Sequence, residues 1–576
     1  MVTFFFIAVA PFCVFIHFAP LGDFWEIFIA CSAVVICSLL VLAMAGFRDK
    51  VLIISPLLIS LLIFFVILCL LTLLQNSHPE AKITLVIYSV VVLLTSLTAL
   101  RLAERNNTQY YDYLAFMLFI GGVIESFSAI AIQYRLAGID YWMVPMSDRF
   151  IGFVAQSNQL AIYVMVAFLS LCYLTYRGIF HVILLVIFSL LFGFVLLGSG
   201  SRAILLYLVS TLLITIFNGY KSEDKSYLSF MFGVAALVVG ALIYYYLPVI
   251  MQCLSINPSD TMFETSGALS RNSASDSFRL SEISKAFALL KSSPLLGVGF
   301  GNYAVHAFWL GVANPSYTVI GSLTLHSHNI FAQIMAEFGL LGLLALVALI
   351  GYIVISFWRK PKTLQWWLVS CVFAVYFINS LLEYIMWRMH FVPLLFLMIV
   401  PLLTSSFKLI YPRLLNVIIT LLIGVLFIVI ANSSLTTYAK SFFYKGELMA
   451  LDQQDFAIYK SATSDLIWGK ELQLQMLNNI SPVITDLAYQ QQITDEMLAW
   501  RPYSAVLVNK IQLSLLTKQT GYVDKYARAL AITYPSVVPS VCGYFKNFDT
   551  LPDLQALRVV QKELNCRAIK PFTSIK

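Results

Sequence analysis

The sequence predicts an all-α polytopic membrane protein with about twelve or thirteen transmembrane helices, a large outward loop and a C-terminal helical domain. Three observations carry this expectation. Hydrophobic residues make up 60% of the chain and charged residues only 11%, against about 45–50% and about 25% in soluble proteins. Mean hydropathy is +0.86. The apolar residues lie in unbroken runs of roughly the 17–25 residues that a helix needs to cross hydrocarbon, without the alternation of a barrel strand.

In chain order, the first stretch, "MVTFFFIAVAPFCVFIHFAP", lacks a basic leader region and a small-residue cleavage site, so it reads as a retained helix over 2–20. Further spans fall near 24–47, 51–74, 83–103, 112–134, 159–176, 179–198, 203–218 and 228–250, which makes 1–250 an N-terminal block of membrane helices. Residues 251–329 contain "SINPSDTMFETSGALSRNSASDSFRLSEISKAF" and are too polar to span; they form the large loop. Spans near 330–357, 364–382, 389–405 and 414–431 make 330–431 a second membrane block. Residues 432–576 have mixed composition. Their segment "ITDEMLAWRPYSAVLVNKIQLSLLTKQTGYVDKYARALAITYP" reads as paired amphipathic helices, with a turn at Gly521 and a stop at Pro535. The pair is similar to a tetratricopeptide hairpin.

Basic residues orient the chain. With the N-terminus inside, the inside loops carry Arg48, Lys50, Arg101, Arg105, Arg177, Lys221, Lys225, Arg359, Lys360, Lys362, Lys408 and Arg413. They outnumber Lys82, Arg135, Arg149, Arg202 and Arg388 in the short outside loops. The long loop and the tail therefore face outward, and the formal charge of +7 is largely inside-facing decoration that needs no nucleic acid to explain it. Most cysteines sit in spans as small core fillers. Cys542 and Cys566 lie in the outward tail, where they pair if the compartment oxidises thiols and stay apart if it does not.

Polar residues from separated segments reach the outward side. "VAQSNQLA" brings Gln156, Asn158 and Gln159, and "GSGSRA" brings Arg202. "DSFRLSEISKAF" brings Arg279, Glu282 and Lys285, "HSHN" brings His328 and Asn329, and "NSLLEYIMWR" brings Glu383, Tyr384 and Arg388. Polar groups that face inward near bundle mouths are functional candidates. Ser327 or His328 is expected to cap the helix that follows, which sets His328 at the positive end of its dipole. That field disfavours imidazolium, and a neutral imidazole can act as a general base. The plainer reading is an interfacial histidine that only caps. Arg202 and Arg279 suit phosphate oxygens, because a guanidinium stays charged and offers a planar fork. Arg202 could instead snorkel, and Arg279 could pair with Glu282 or Glu264 in a solvated loop.

Several chemistries are excluded. "GVGFGNYA" lacks the strand–turn–helix context of a dinucleotide site, and no phosphate-binding loop motif occurs. There is no D-x-D pattern for a metal diphosphate, and His326 with His328 completes no zinc set. The expectation is therefore a site without metal or cofactor, where cationic side chains stabilise a leaving diphosphate.

Residues 328–342 read H-N, nine residues, Gly339, two residues, Gly342. This resembles the H-[NSQ]-x9-G-x-x-[GTY] pattern of the O-antigen ligase and O-oligosaccharyltransferase superfamily. More narrowly, the chain resembles the PglL-type protein O-oligosaccharyltransferases. "VAQSNQLA" looks like their G-Q-x-N-[NQ]-x-A segment, "GSR" like their S-R, "RLSEISKAF" like their R-x-x-E-x-x-K-A, and "LLEYIMW" like their L-E-Y-x-x-W. Ala155 stands where that group has glycine and Ile385 where it has proline.

The resemblance implies a bacterial inner-membrane enzyme with periplasmic loop and tail. Its donor would be an undecaprenyl-diphosphate-linked oligosaccharide held among membrane lipids, and its acceptor a Ser or Thr of pilin or another periplasmic protein. It implies His328 as catalytic base, Arg202 and Arg279 as diphosphate ligands, and Gln156, Asn158, Asn329, Glu383 and Tyr384 as substrate-positioning residues. The rival readings are an O-antigen ligase acting on lipid A–core, a Wzy-type polymerase, and a transporter that moves the lipid-linked glycan without chemistry. The Gln156 segment and the long tail weigh against the ligase. The transporter reading lacks the expected repeats and broken helices.

Overall fold

A computed structural model describes the chain except residues 18–20, 49–50, 105, 137–148, 223–225, 254–273, 318–320, 404–406, 411–412, 443–459, 480–486, 518–520, 522, 547–553 and 567–576. Lys50, Arg105 and Lys225 of the charge argument, and Glu264, lie outside the described residues. Nine helices among the described residues are long and apolar enough to cross a membrane. Four shorter apolar helices, Val2–Phe12, Val182–Gly198, Ala203–Gly219 and Phe391–Leu403, fall where further spans were expected. The protein is a multi-pass membrane protein. The chain divides into two compact units, one of residues 1–67, 85–273 and 345–432, the other of residues 68–84, 274–344 and 433–576.

The first unit is built round the helix Ser157–Tyr176, which is buried on all sides from Gln159 to Leu174. A helix apolar all round belongs at the centre of a bundle. Asn107–Gln133, Val182–Gly198 and Leu364–Leu382 pack on it. Two neighbours, Val182–Gly198 and Ser226–Cys253, approach backbone to backbone: a Cβ on Gly193 would strike the Leu237 carbonyl, and one on Gly240 the Leu190 carbonyl. Without a hydrophobic drive between helices in lipid, close packing over small residues is what joins them. On Arg413–Phe442, by contrast, Leu421, Leu422, Val425, Leu426, Ile428 and Val429 are all exposed, which is the surface that lipid would cover.

Two expected spans differ. The helix expected over 2–20 runs only over Val2–Ala8, followed by a 3₁₀ turn Ala10–Phe12. Pro11 lacks the N–H that would continue the ladder. Beyond it, His17 turns inward, its Nε2 lying 2.8 Å from Val14 O and 2.5 Å from Phe153 O. The span expected to begin at 51 begins at Pro56, and Val51–Ile54 pairs antiparallel with Phe407–Ile410. A four-residue apolar run has no period of its own, so only its partner distinguishes strand from helix.

The second unit holds Ala274–Ser292, Tyr303–Ala313 and the start of Ile330–Arg359, together with a run of tail helices. Ser504–Leu516 and Val523–Thr533 flank Gly521. Consecutive tail helices pack over Leu472, Met476, Ile493, Met497, Leu507, Ile511 and Leu530, all buried. Cys542 and Cys566 form a disulfide, with Cα atoms 5.5 Å apart, which settles the alternative left open by sequence.

Candidate active site

In the second unit, the helix Ile330–Arg359 is capped by Asn329, whose Oδ1 accepts the Ala332 N–H at 3.0 Å. The cap expected at Ser327 or His328 is therefore one residue later. Asparagine is among the best residues for this task, with a short carbonyl that reaches the third amide. Ser327 supports it: its Oγ donates to Asn329 O at 3.0 Å, and its N–H is accepted by the buried Gln333 Oε1 at 2.7 Å.

His328 is squeezed between these two anchors with φ of 55°. The left-handed region is sparsely used by residues with a Cβ and costs about 1–3 kcal/mol, so such residues persist only where the surroundings impose them. The imidazole is half-buried and stands edge-on to the Phe278 ring, centroids 5.6 Å apart. Arg279 follows Phe278 on the helix Ala274–Ser292.

Three residues further along that helix, Glu282 is fully buried. Its Oε1 takes Lys285 Nζ at 2.6 Å and its Oε2 the Tyr303 hydroxyl at 2.8 Å. Glu282 thus belongs to an interior network, not to a solvated loop. Burial, with the Glu282 carboxylate beside it, holds the Tyr303 phenol well above its usual value and keeps it a donor. Lys285 also lines a small cavity with Phe308, Ser322, Thr324 and Thr533.

The second half of the H-N-x9-G pattern has a mechanical role. At Gly339 the helix leaves helical geometry, with φ 65° and ψ −160°. The freed groups are taken up by the "GVGFG" segment. Val298 and Gly299 N–H donate to Ala336 and Glu337 carbonyls at 2.9 and 3.1 Å, and Leu340 N–H donates to Pro294 O at 2.9 Å. Gln75 closes the junction, donating to Glu337 O at 2.9 Å and accepting the Phe300 N–H at 3.2 Å. A Cβ on Gly339 would collide with the Leu295 carbonyl, and one on Gly297 with Glu337. These glycines, excluded above as a nucleotide motif, fix the position of the helix that carries His328.

The first unit has its own polar centre, a small cavity lined by Gln156, Asn158, Gln159, Asn379, Glu383, Tyr384, Ile385 and Arg388. Gln156 caps the central helix, its Oε1 accepting the Gln159 N–H at 2.7 Å. Asn158 Nδ2 donates to Glu383 Oε1 at 2.9 Å, and Arg149 Nη2 donates to Asn158 Oδ1 at 3.0 Å. Arg388 donates to Asp23 at 2.8 Å and to Tyr384 Oη at 3.3 Å. Behind this wall, Glu26 lies between His17 and His390 at 3.7 and 3.8 Å, and His390 Nε2 meets Gln159 Oε1 at 3.1 Å.

Ala155, just before the cap, has φ of 51°. Ile385 opens the 3₁₀ turn Ile385–Trp387, a first-turn position that accepts proline because no N–H is needed there. Arg202 follows the Ser199–Gly200–Ser201 turn at the head of Ala203–Ser222, with its side chain exposed.

Gln156, Asn158, Glu383 and Tyr384 therefore share one cavity in the first unit, which also contains Arg202, while Arg279, His328 and Asn329 belong to the second unit. Sequence reading passed over Gln75, Arg149 and Asn379. Each acts through partners remote along the chain, and a single polar residue at a span end carries no signal of that.

Residues 186–347 match the family model described as O-antigen ligase. The matched stretch contains Arg202, Arg279, His328 and Asn329. A membrane-embedded ligase that transfers glycosyl groups is thus the class of protein to which this chain is similar. No curated protein matches the chain.

Proposed function

We propose that the protein is an inner-membrane O-oligosaccharyltransferase of the O-antigen ligase superfamily. It moves glycan from undecaprenyl diphosphate to Ser or Thr of periplasmic proteins such as pilin. The observation that carries this reading is His328, held in a strained backbone between a capped helix start and the Phe278 ring, inside the stretch that resembles O-antigen ligase. Strain of this kind clusters at functional sites. The loop and tail face the periplasm, and the Cys542–Cys566 disulfide supports an oxidising compartment for the tail. The tail, a tetratricopeptide-like domain, docks the acceptor protein.

In the reaction, the acceptor hydroxyl approaches the anomeric carbon opposite the diphosphate. His328 accepts its proton as the new C–O bond forms. The bond to the diphosphate oxygen breaks, and Arg202 and Arg279 stabilise the departing charge. Direct displacement inverts the anomeric centre. Gln156, Asn158, Glu383 and Tyr384 seat the substrates.

The match to the O-antigen ligase model favours one other reading, a ligase whose acceptor is lipid A–core. Intact-mass measurement of pilins and lipopolysaccharide from cells with and without the gene separates the two. We expect a glycan-sized mass lost from pilin when the gene is deleted, with lipopolysaccharide unchanged. Unaltered pilin with truncated lipopolysaccharide would replace this reading by the ligase.

A further inference from the structure

Three buried ionisable side chains of the first unit take no part in the proposed mechanism. His17, Glu26 and His390 are 5%, 3% and 1% exposed. They come from separate places: the stretch before Phe24–Arg48, the first turn of that helix, and the residue before Phe391–Leu403. The Glu26 carboxyl stands between the two rings, Oε1 3.7 Å from His17 Nδ1 and Oε2 3.8 Å from His390 Nδ1.

The far nitrogen of each ring fixes where its hydrogen sits. His17 Nε2 meets the Val14 and Phe153 carbonyls at 2.8 and 2.5 Å, and His390 Nε2 meets Gln159 Oε1 at 3.1 Å. These oxygens only accept, so Nε2 carries the hydrogen in both rings. In a neutral imidazole the other nitrogen is then a bare lone pair. Both lone pairs face the one carboxyl, and His390 Nδ1 is buried without a hydrogen-bond partner among the described residues.

Were Glu26 ionised and both rings neutral, its oxygens would confront two lone pairs where little water intervenes, which is repulsive. A proton removes the conflict wherever it settles. On either Nδ1 it makes an imidazolium beside a carboxylate; on Glu26 it makes a hydroxyl that donates to an imidazole. The neighbouring charges offer no substitute. Arg388 is offset by Asp23 and bound to Tyr384, and Arg149 is bound to Ser199 O and Asn158. Glu383, which holds Asn158, and the fully buried Glu125 add only further acidic groups. Asp23 precedes Glu26 in the chain and Arg388 precedes His390, so the ion pair and the three buried groups join the same two segments.

We propose that His17, Glu26 and His390 form one proton-binding site, a pH-sensitive clasp that fastens the N-terminal segment to residues 383–390. With the proton bound, the three groups attract one another; without it, the carboxylate repels both rings. The segment it fastens also carries Tyr384, so opening the clasp loosens one wall of the polar cavity. None of this depends on which reaction the protein performs. Because the folded site holds a proton that the separated groups release more readily, its stability is present at low pH and is lost as pH rises through the titration of the site.

The test compares thermal midpoints of the full-length protein in detergent between about pH 6 and about pH 9, a range that starts near the usual histidine value. The wild-type midpoint should fall as pH rises. Glu26→Gln imitates the protonated carboxyl, since its amide donates to one ring and cannot ionise. It should keep the low-pH midpoint and lose at least about half of the fall. Selective ¹⁵N-histidine NMR, with signals assigned through His17→Gln and His390→Gln, gives a second reading. Both rings should carry Nε2–H and shift together in one titration that Glu26→Gln abolishes. An undiminished pH slope in well-folded Glu26→Gln, or wild-type rings that titrate independently of each other, would overturn the clasp. The wild-type spectra decide alone if the variant does not fold.

Discussion

At the scale of single residues, two backbone conformations say most about this protein. Ala155 and His328 both sit at positive φ, 51° and 55°, and each directly precedes a helix-capping residue, Gln156 and Asn329. In both places the chain must turn sharply so that a cap can reach its amides. At Ala155 the strain has no chemical use, which accounts for the glycine that PglL-type sequences have there. Ala155→Gly should stabilise the protein by about 1 kcal/mol, read as a higher thermal midpoint in detergent with unchanged transfer rate. At His328 the same conformation presents the imidazole that the proposed mechanism uses as its base. His328→Gly should likewise preserve or raise the thermal midpoint while abolishing transfer, and an unfolded variant would mean that the ring is there for packing. The residues proposed for the site could be singled out from sequence at this scale, because His328–Asn329 and Glu383–Tyr384 are adjacent in the chain. Their partners were not: Asn158 reaches Glu383, 225 residues away, a separation that no local pattern encodes.

At the scale of elements, most helices were legible because hydrocarbon thickness dictates their length and apolar composition. The exceptions come from local chemistry that hydropathy ignores. Pro11 ends the first helix early, and the apolar run Val51–Ile54 is a strand because Phe407–Ile410 is there to pair with it. The break at Gly339 was hidden for the same reason, since a glycine in an apolar helix is compositionally unremarked. Its function depends on the "GVGFG" segment supplying the hydrogen bonds that the helix gives up. Gly339→Ala combines a forbidden φ with a collision at the Leu295 carbonyl. It should destabilise by about 3 kcal/mol or more, visible as a lowered thermal midpoint and new protease cleavage in residues 293–301. A variant as stable as the parent would show that the junction tolerates a regular helix.

For the whole molecule, the residues named in the proposed mechanism are spread over both compact units. Arg202 comes from the first unit, Arg279 and His328 from the second. The tail adds a disulfide that closes a loop of 24 residues and should contribute about 3 kcal/mol to tail stability. Cys542→Ser with Cys566→Ser should leave the membrane helices folded and make the tail protease-sensitive. Alkylation of cells before reduction should find both thiols blocked as a disulfide, as outward placement requires, whereas free thiols there would reverse the assigned orientation.

The most direct test of the central claim is transfer by the purified protein in the presence of a chelator, using lipid-diphosphate glycan and pilin and reading pilin mass against time. Wild type should add the glycan at a rate the chelator leaves unchanged, and His328→Ala, equally well folded, should be at least about 10²-fold slower. A chelator-sensitive wild type, or a His328→Ala protein that transfers at the parental rate, would contradict the account.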